Sequence, residues 1–516
     1  MSLAKFLHKN FYSVIKENAV KFKNKKVIFS EEGNLTYKQL KDYTDSLGGY
    51  LINLGIGKGD KVAILLKNSP DFVISLFAIQ KIGAIPVPIN TFLKSEEIEH
   101  ILNHSEAKAL ITEREFKKKL ESIQEKPFLQ YIIWKDIDSK HSLKEGLKFK
   151  EFLDFEENIS IDDTAVLLYT SGTTGTPKAV MLSYRNLISN VENIAFLGKV
   201  SDKDRFIVYL PMFHTFTLTA SILLPIYLGA SFVIIRSVFP FSNVLKQTLL
   251  KRVSIFLGVP EVYNALSKAK LPWYFKFFHN IRFFVSGGSP LPVETFNRMR
   301  KQFPKTPLIE GYGLTECSPV VSINPPERPK PMSVGKPLPD YTVKIVDDNF
   351  NELPVGEIGE IIVKGNCVMK GYYKNKKETD RVIKDGWLFT GDLGKFDEEG
   401  YLYIVDRKKD LIISKGINIY PRDIEELLNE HPNIEISAVI GKKDKNYGEI
   451  PVAFVKLVEG IKDFGEKEIK RFLKGKIADY KIPKHIFIVE DFPKNATGKI
   501  LKRKLKEMLE KGIFKI

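Results

Sequence analysis

Residues Tyr169 to Lys178 read YTSGTTGTPK, with two glycines, four threonines, a serine, a proline and a terminal lysine. Gly172 and Gly175 can take φ > 0 and let an anion approach the main chain. Successive backbone N–H groups then form an anion nest, to which the hydroxyls of Thr170, Ser171, Thr173 and Thr174 and the ammonium of Lys178 add donors. This is phosphate-binding chemistry. It is not the common G-x-x-x-x-G-K-[ST] loop, because the glycines are three apart and Thr176-Pro177 precede Lys178.

The surrounding pattern says what must hold such a loop. TAVLLYT (164–170) reads as a strand leading into it, and the next predicted element is a helix over 184–197. Upstream, Thr36 and Gln39 form a capping box, with Leu40, Tyr43, Leu47, Leu51 and Leu54 at helical spacing and Gly55 closing the helix. KVAILL (61–66), the helix over 71–83, FIVYL (206–210), a helix over 216–228, SFVII (231–235), VSIFLGV (253–259) and IRFFVSGG (281–288) continue an alternation of apolar strands and helices. That alternation predicts α/β layers with mostly parallel sheets. After about residue 333 short strands separated by turns such as DEEG predict a smaller antiparallel, β-barrel-like unit. The last hundred residues predict a compact α+β unit, and the charged run DRKKDL (406–411) is the boundary. The expected division is 1–406, a junction at 407–410, and 411–516.

Composition narrows the function. A chain of 516 residues can build about three domains. Two cysteines, Cys317 and Cys367, predict a reducing compartment without a disulfide framework, and no cysteine–histidine spacing suits zinc. Lysines break every apolar run of the N-terminus, so it does not read as a signal peptide and a cytoplasmic location is expected. Pro211–Ile235 holds no Asp, Glu, Lys or Arg, yet Pro225 and Gly229 break it, and it reads as a buried helix, a turn and a buried strand. The net charge of +16 is spread along the chain. No nucleic-acid-binding signature accompanies it; a polyanionic small molecule and a peripheral contact with an anionic membrane surface fit it.

Four further stretches carry polar chemistry: IEGYGLTE (309–316), TGD (390–392), DRKKDLIISKGINIYPRDIE (406–425) and PKNATGKILKRK (493–504). With the opening loop, in this order and spacing, the chain resembles the adenylate-forming superfamily of acyl-CoA synthetases, luciferases and peptide-synthetase adenylation domains. LGVPEVYNAL (257–266) and SYRNLISN (183–190) resemble bacterial long-chain fatty acyl-CoA ligases. The resemblance implies ATP-dependent activation of a carboxylate to acyl-AMP with loss of pyrophosphate, then acyl transfer to a thiol.

Residue roles follow from that resemblance. The 170–178 loop would hold the β- and γ-phosphates. Glu316 would bind Mg²⁺, with Thr170 as a second ligand. Gly288, Gly311 and Tyr312 would form the adenine slot, Thr315 would contact the α-phosphate, and Asp392 with Arg407 would hold the ribose. Lys499 would be the adenylation lysine, Lys409 the hinge of a mobile C-terminal domain, and Gly416 part of the loop that serves the thioester step. His214 would lie near the substrate carboxylate. Phe213, Phe216, Leu218, Ile222, Leu223, Val259 and Leu314 would line an acyl pocket. Where peptide-synthetase domains have an aspartate for an amino-acid ammonium, this chain has His214-Thr215, so a fatty or other apolar acid is expected. Coenzyme A is the expected acceptor, an acyl carrier protein or release as acyl-AMP the alternatives, and the protein a monomer or homodimer.

Overall fold

A computed structural model of the chain describes residues 5, 7–155, 157–170, 177–238, 240–415, 417–461, 463–494 and 498–514. The N-terminal third carries a four-stranded parallel sheet of Ile85–Pro88, Lys61–Leu65, Ala107–Thr112 and Tyr131–Trp134. The capping box at Thr36 and Gln39 forms, and helix Tyr37–Asn53 follows it.

Strand β1 (Thr164–Thr170) does not lead to a helix, as the sequence pattern predicts. It pairs antiparallel with a second strand, β2 (Lys178–Ser183), and only then comes helix α1 (Tyr184–Leu197), capped by Ser183. The short, mixed KAVMLS stretch gives no periodicity of its own, and its pairing with β1 makes it a strand. Lys178 faces Thr170 across the register. The intervening residues, including Ser171, Gly172, Thr173, Thr174 and Gly175, lie outside the described residues, as does Gly416.

The central layer is built from β3 (Arg205–Val208), β4 (Ser231–Ile234), helix α2 (Phe241–Leu250), β5 (Ile255–Gly258), helices α3 (Pro260–Lys268) and α4 (Trp273–Phe278), β6 (Phe283–Ser286) and β7 (Leu308–Gly313). Its nine strands place β7, β6, β5, β3 and β4 side by side in parallel, extended past β4 by Lys26–Phe29 and Leu35–Thr36 and past β7 by Val320–Ile323 and Lys336–Pro337. Parallel pairing aligns the C-terminal ends of β5, β6 and β7 along one edge, the place where ligands bind in open α/β sheets.

The charge-free stretch is a helix, a turn and a strand. Thr215–Thr217 is α-helical, Leu218–Leu223 is a π-helical turn, Leu224–Leu228 is α-helical again, and Gly229 turns at φ 72° into β4. Among the described residues no helix is long and apolar enough to cross a membrane.

Past residue 340, Thr342–Val346, Gly359–Lys364, Trp387–Phe396, Ile383–Lys384 and Leu402–Arg407 form a five-stranded antiparallel sheet. Residues beyond Leu411 form another five-stranded sheet with helices Pro421–Asn429, Glu466–Leu473 and Lys502–Glu510. Two apolar cores, one around Ile412, Ile424, Leu428 and Val439, the other around Ile440, Phe454 and Leu505, draw their residues from this C-terminal part alone.

Candidate active site

The C-terminal ends of β5, β6 and β7 open onto a cleft of about 1970 Å³ between the main body and the C-terminal part. Residues Gly288, Gly311, Tyr312, Leu314, Thr315 and Glu316 line its sheet side, and Asp392, Arg407, Lys409 and Lys499 line the other. Gly288 sits at φ 87°, a left-handed turn that glycine adopts without strain. Thr315 and Glu316 start a single 3₁₀ turn directly after β7.

Asp392 and Arg407 are register partners on adjacent antiparallel strands, so backbone pairing holds them together. Arg407 Nε lies 3.0 Å from Asp392 Oδ1, and the Tyr312 hydroxyl donates to Asp392 Oδ2 at 2.7 Å. The Asp392 carboxylate holds the Arg407 pKa above its usual value, and burial raises that of the Tyr312 phenol. Tyr312 thus has its hydroxyl committed to Asp392 and presents its ring to the cleft wall.

Lys499 reaches the same corner. Burial, then the nearby Arg407, lowers its pKa to about 8, with Asp392, Lys409 and Asp410 also acting on it. His214 caps the N-terminus of the segment after it, where its Nδ1 accepts a hydrogen bond from the Phe216 N–H at 3.3 Å. Burial lowers its pKa to about 4, so the ring is neutral at pH 7 and carries its proton on Nε2. The next residue, Thr215, donates its hydroxyl to Thr315 Oγ1 at 3.0 Å and joins the two segments.

Below these polar groups the cleft continues as an apolar arm. Phe206 of β3, Ile255 and Leu257 of β5 and Phe283 and Val285 of β6 point to one face of the sheet by strand alternation, and Ile194 of α1 closes the opposite side. The arm runs from Gly288 at the C-terminal edge to Phe283 at the N-terminal edge, roughly 16 Å at strand rise. Phe213, Phe216 and Leu314 of the expected acyl wall line the cleft. Leu218, Ile222, Leu223 and Val259 do not, and are buried in the cores behind it. Phe216, Ala220 and Leu224, spaced by four, take the cleft side. Leu218 and Ile222 fall on the far face at ordinary helical pitch, and the wider π turn carries Leu223 away as well.

Residues 15–373 match the AMP-binding enzyme family, and residues 423–499 match the AMP-binding enzyme C-terminal domain. The chain belongs to the AMP-binding enzyme family. It is 33% identical over 510 residues to a long-chain-fatty-acid--CoA ligase of Escherichia coli O6:H1, covering 92% of this chain and 90% of the relative. A long-chain-fatty-acid--CoA ligase of Bacillus subtilis is 36% identical, with 97% and 94% covered. A 2-succinylbenzoate--CoA ligase of Bacillus licheniformis is 34% identical, with 95% and 98% covered. Among solved structures, ATP-bound MatB from Rhodopseudomonas palustris superposes with TM-score 0.90 at 29% identity, covering 99% of this chain and all of that one. The apo form of the same protein gives 0.79 over the same share of each chain.

This AMP-binding enzyme holds its site with residues that motif reading did not reach. The Tyr372 hydroxyl donates to Glu316 Oε1 at 2.8 Å. Glu378 pairs with Lys178, which also lies 5.1 Å from the Tyr372 ring centroid. Lys178 in turn holds the Glu378 pKa below the usual carboxylate value. Glu261, at the start of α3, faces the loop of Lys499: a Cβ on Gly498 would stand 3.2 Å from its carboxyl carbon. Local sequence offers no signal for these partners, which come from positions 56 to 237 residues away.

Proposed function

We propose that this protein is a fatty acid–CoA ligase that works in two half-reactions on one site. The observation that carries this reading is the apolar arm ending at the residues that face the nucleotide. It is lined by Ile255, Leu257, Phe283 and Val285 without a charged side chain, and it extends well beyond the span of one aromatic ring. An alkyl chain fills such a channel by apolar burial, worth about 0.8 kcal/mol per methylene. A short or dicarboxylic acid would leave it empty or place a charge in it.

In the first half-reaction the substrate carboxylate oxygen attacks the α-phosphorus of ATP. A P–O bond forms to give acyl-AMP, and the α–β bridging bond breaks to release pyrophosphate. Asp392 accepts from the ribose hydroxyls while Arg407 and the Tyr312 hydroxyl hold that carboxylate in place. Lys499 places its ammonium on the carboxylate and the α-phosphate together; the arriving anions favour its charged form, and its position supplies electrostatic and proximity catalysis. His214, neutral and fixed by Phe216 N–H, offers Nε2–H to the acid side. Thr315, steadied by Thr215, donates to the α-phosphate. Among the described residues no three His, Cys, Asp or Glu side chains converge as a metal cage. That donor set suits Mg²⁺ held by Glu316, with Thr170, and by substrate phosphate oxygens, where it would neutralise the leaving pyrophosphate.

In the second half-reaction the thiolate of coenzyme A attacks the acyl carbon, a C–S bond forms, and AMP leaves. Lys499 occupies the space the thiol needs, so the part beyond residue 411 turns about Lys409, which sits in the short turn Lys408–Asp410 between the two parts. The higher TM-score to the ATP-bound than to the apo relative supports reading the present pose as the adenylating one.

The test is a product assay. The protein is given ATP, MgCl₂ and acids of increasing chain length, with malonate and 2-succinylbenzoate alongside, and either coenzyme A or an acyl carrier protein. Mass spectrometry should find long-chain acyl-CoA and AMP. Turnover confined to the ring or dicarboxylic acids would overturn the reading.

A further inference from the structure

Helix α4 has the sequence WYFKFF and turns most of its aromatic side chains outward. Trp273 is 68%, Tyr274 47%, Phe277 79% and Phe278 64% exposed, and Leu250 at the end of neighbouring helix α2 is 62% exposed. Residues 273, 274, 277 and 278 share one helical face by their i, i+4 spacing. Trp273 lies 6.1 Å from both Tyr274 and Phe278, centroid to centroid, so the patch is contiguous. It is also firmly seated: Phe275 points inward, is buried, and meets Phe303 and His279 at 6.5 and 6.0 Å. A soluble surface seldom carries such a cluster without a partner.

The surrounding charge is of one sign. Lys246, Lys270 and Lys276 are exposed beside the patch, and among the described residues none of the three forms an ion pair. No Asp or Glu occurs from Val262 to Val293. Aromatic rings that include Trp and Tyr, flanked by unpaired lysines on a convex helix rather than in a groove, match the depth profile of an anionic bilayer surface. Rings sit at the headgroup boundary and ammoniums meet lipid phosphates.

The position adds a second argument. The connection from α4 to β6 carries Arg282, which pairs with Asp204 at 2.7 Å and donates to the Lys199 carbonyl at 3.1 Å. Gly198 and Val200, on either side of Lys199, line the apolar arm, and so does Phe283, next to Arg282. The aromatic patch and the inner end of the arm therefore lie at the same N-terminal edge of the central sheet.

We propose that α4 with the end of α2 is a docking surface for an anionic phospholipid bilayer, which seats the end of the apolar arm at the membrane. The test is vesicle sedimentation of the whole protein, with phosphatidylcholine vesicles with and without phosphatidylglycerol. The unmodified protein should bind the phosphatidylglycerol vesicles, and high salt should weaken that binding. Combined Trp273→Ser, Phe277→Ser and Phe278→Ser should lower it at least about tenfold, as should combined Lys246→Gln, Lys270→Gln and Lys276→Gln. Trp273 emission should shift to the blue with these vesicles, and the Trp273→Phe protein should lose that shift. Both combined variants should keep the unmodified melting temperature, since the changed side chains are exposed. Equal binding by the aromatic variant would overturn the proposal. So would a dimer that this variant dissociates without any change in vesicle binding, or association only with an acidic protein.

Discussion

Asp392 and Arg407 stand opposite each other on paired strands, 3.0 Å apart at Oδ1 and Nε, and Tyr312 supplies the second donor to the same carboxylate. A sheet register thus fixes a buried acceptor at the edge of the cleft. Asp392→Asn keeps the shape and removes the charge. The KM for ATP should rise about tenfold, the scale of losing a charged hydrogen bond, with kcat changed much less. A kinetic titration of ATP checks this, with a melting curve as control for folding. An unchanged KM would remove Asp392 from nucleotide binding.

Lys499→Ala should divide the two half-reactions. Acyl-AMP formation, followed as pyrophosphate release, should fall by several orders of magnitude. Thioester formation from supplied acyl-AMP should stay within a few-fold of the unmodified enzyme, because Lys499 acts on charge that develops only in the first step. Equal losses in both steps would show that Lys499 serves the whole cleft.

The pH profile carries the same residue. Lys499 has its pKa lowered to about 8, and its charged form lies below that value. The kcat/KM for adenylation should therefore fall as pH rises through about 8, approaching tenfold per unit above it. His214, at about 4, is neutral across that range and adds no inflection there. In Lys499→Arg the fall near pH 8 should disappear, whatever activity remains.

Leu257 lies midway along the apolar arm, and Leu257→Trp should block it. The kcat/KM for long-chain acids should drop at least tenfold, a loss of roughly 1.4 kcal/mol or more, while acids short enough to stop at Leu257 should change by less than about threefold. An even loss over all chain lengths would mean that the chain lies elsewhere.

Much of this protein was legible locally. The capping box at Thr36, strand Thr164–Thr170, helix Tyr184–Leu197 and the helix, turn and strand of Pro211–Ile235 each follow from short-range rules: capping geometry, apolar periodicity and the left-handed preference of glycine. The order of the polar motifs likewise sufficed to name the family, because each motif is a contiguous stretch. The misreadings have non-local causes. Lys178–Ser183 is a strand because β1 offers it hydrogen bonds, and the π turn at Leu218–Leu223 chooses Ala220 and Leu224 over Leu223 for the cleft wall.

The sequence by itself determined most of the helices and strands, which side chains carry charge, and the family. Those properties depend on neighbours within a few residues. Only the tertiary structure decided that Tyr372 donates to Glu316, that Glu378 pairs with Lys178, and that Ile255, Leu257, Phe283 and Val285 enclose one channel. These relations depend on which strands lie side by side and on which face of the sheet is buried. Chain topology sets both, and no local spacing encodes it.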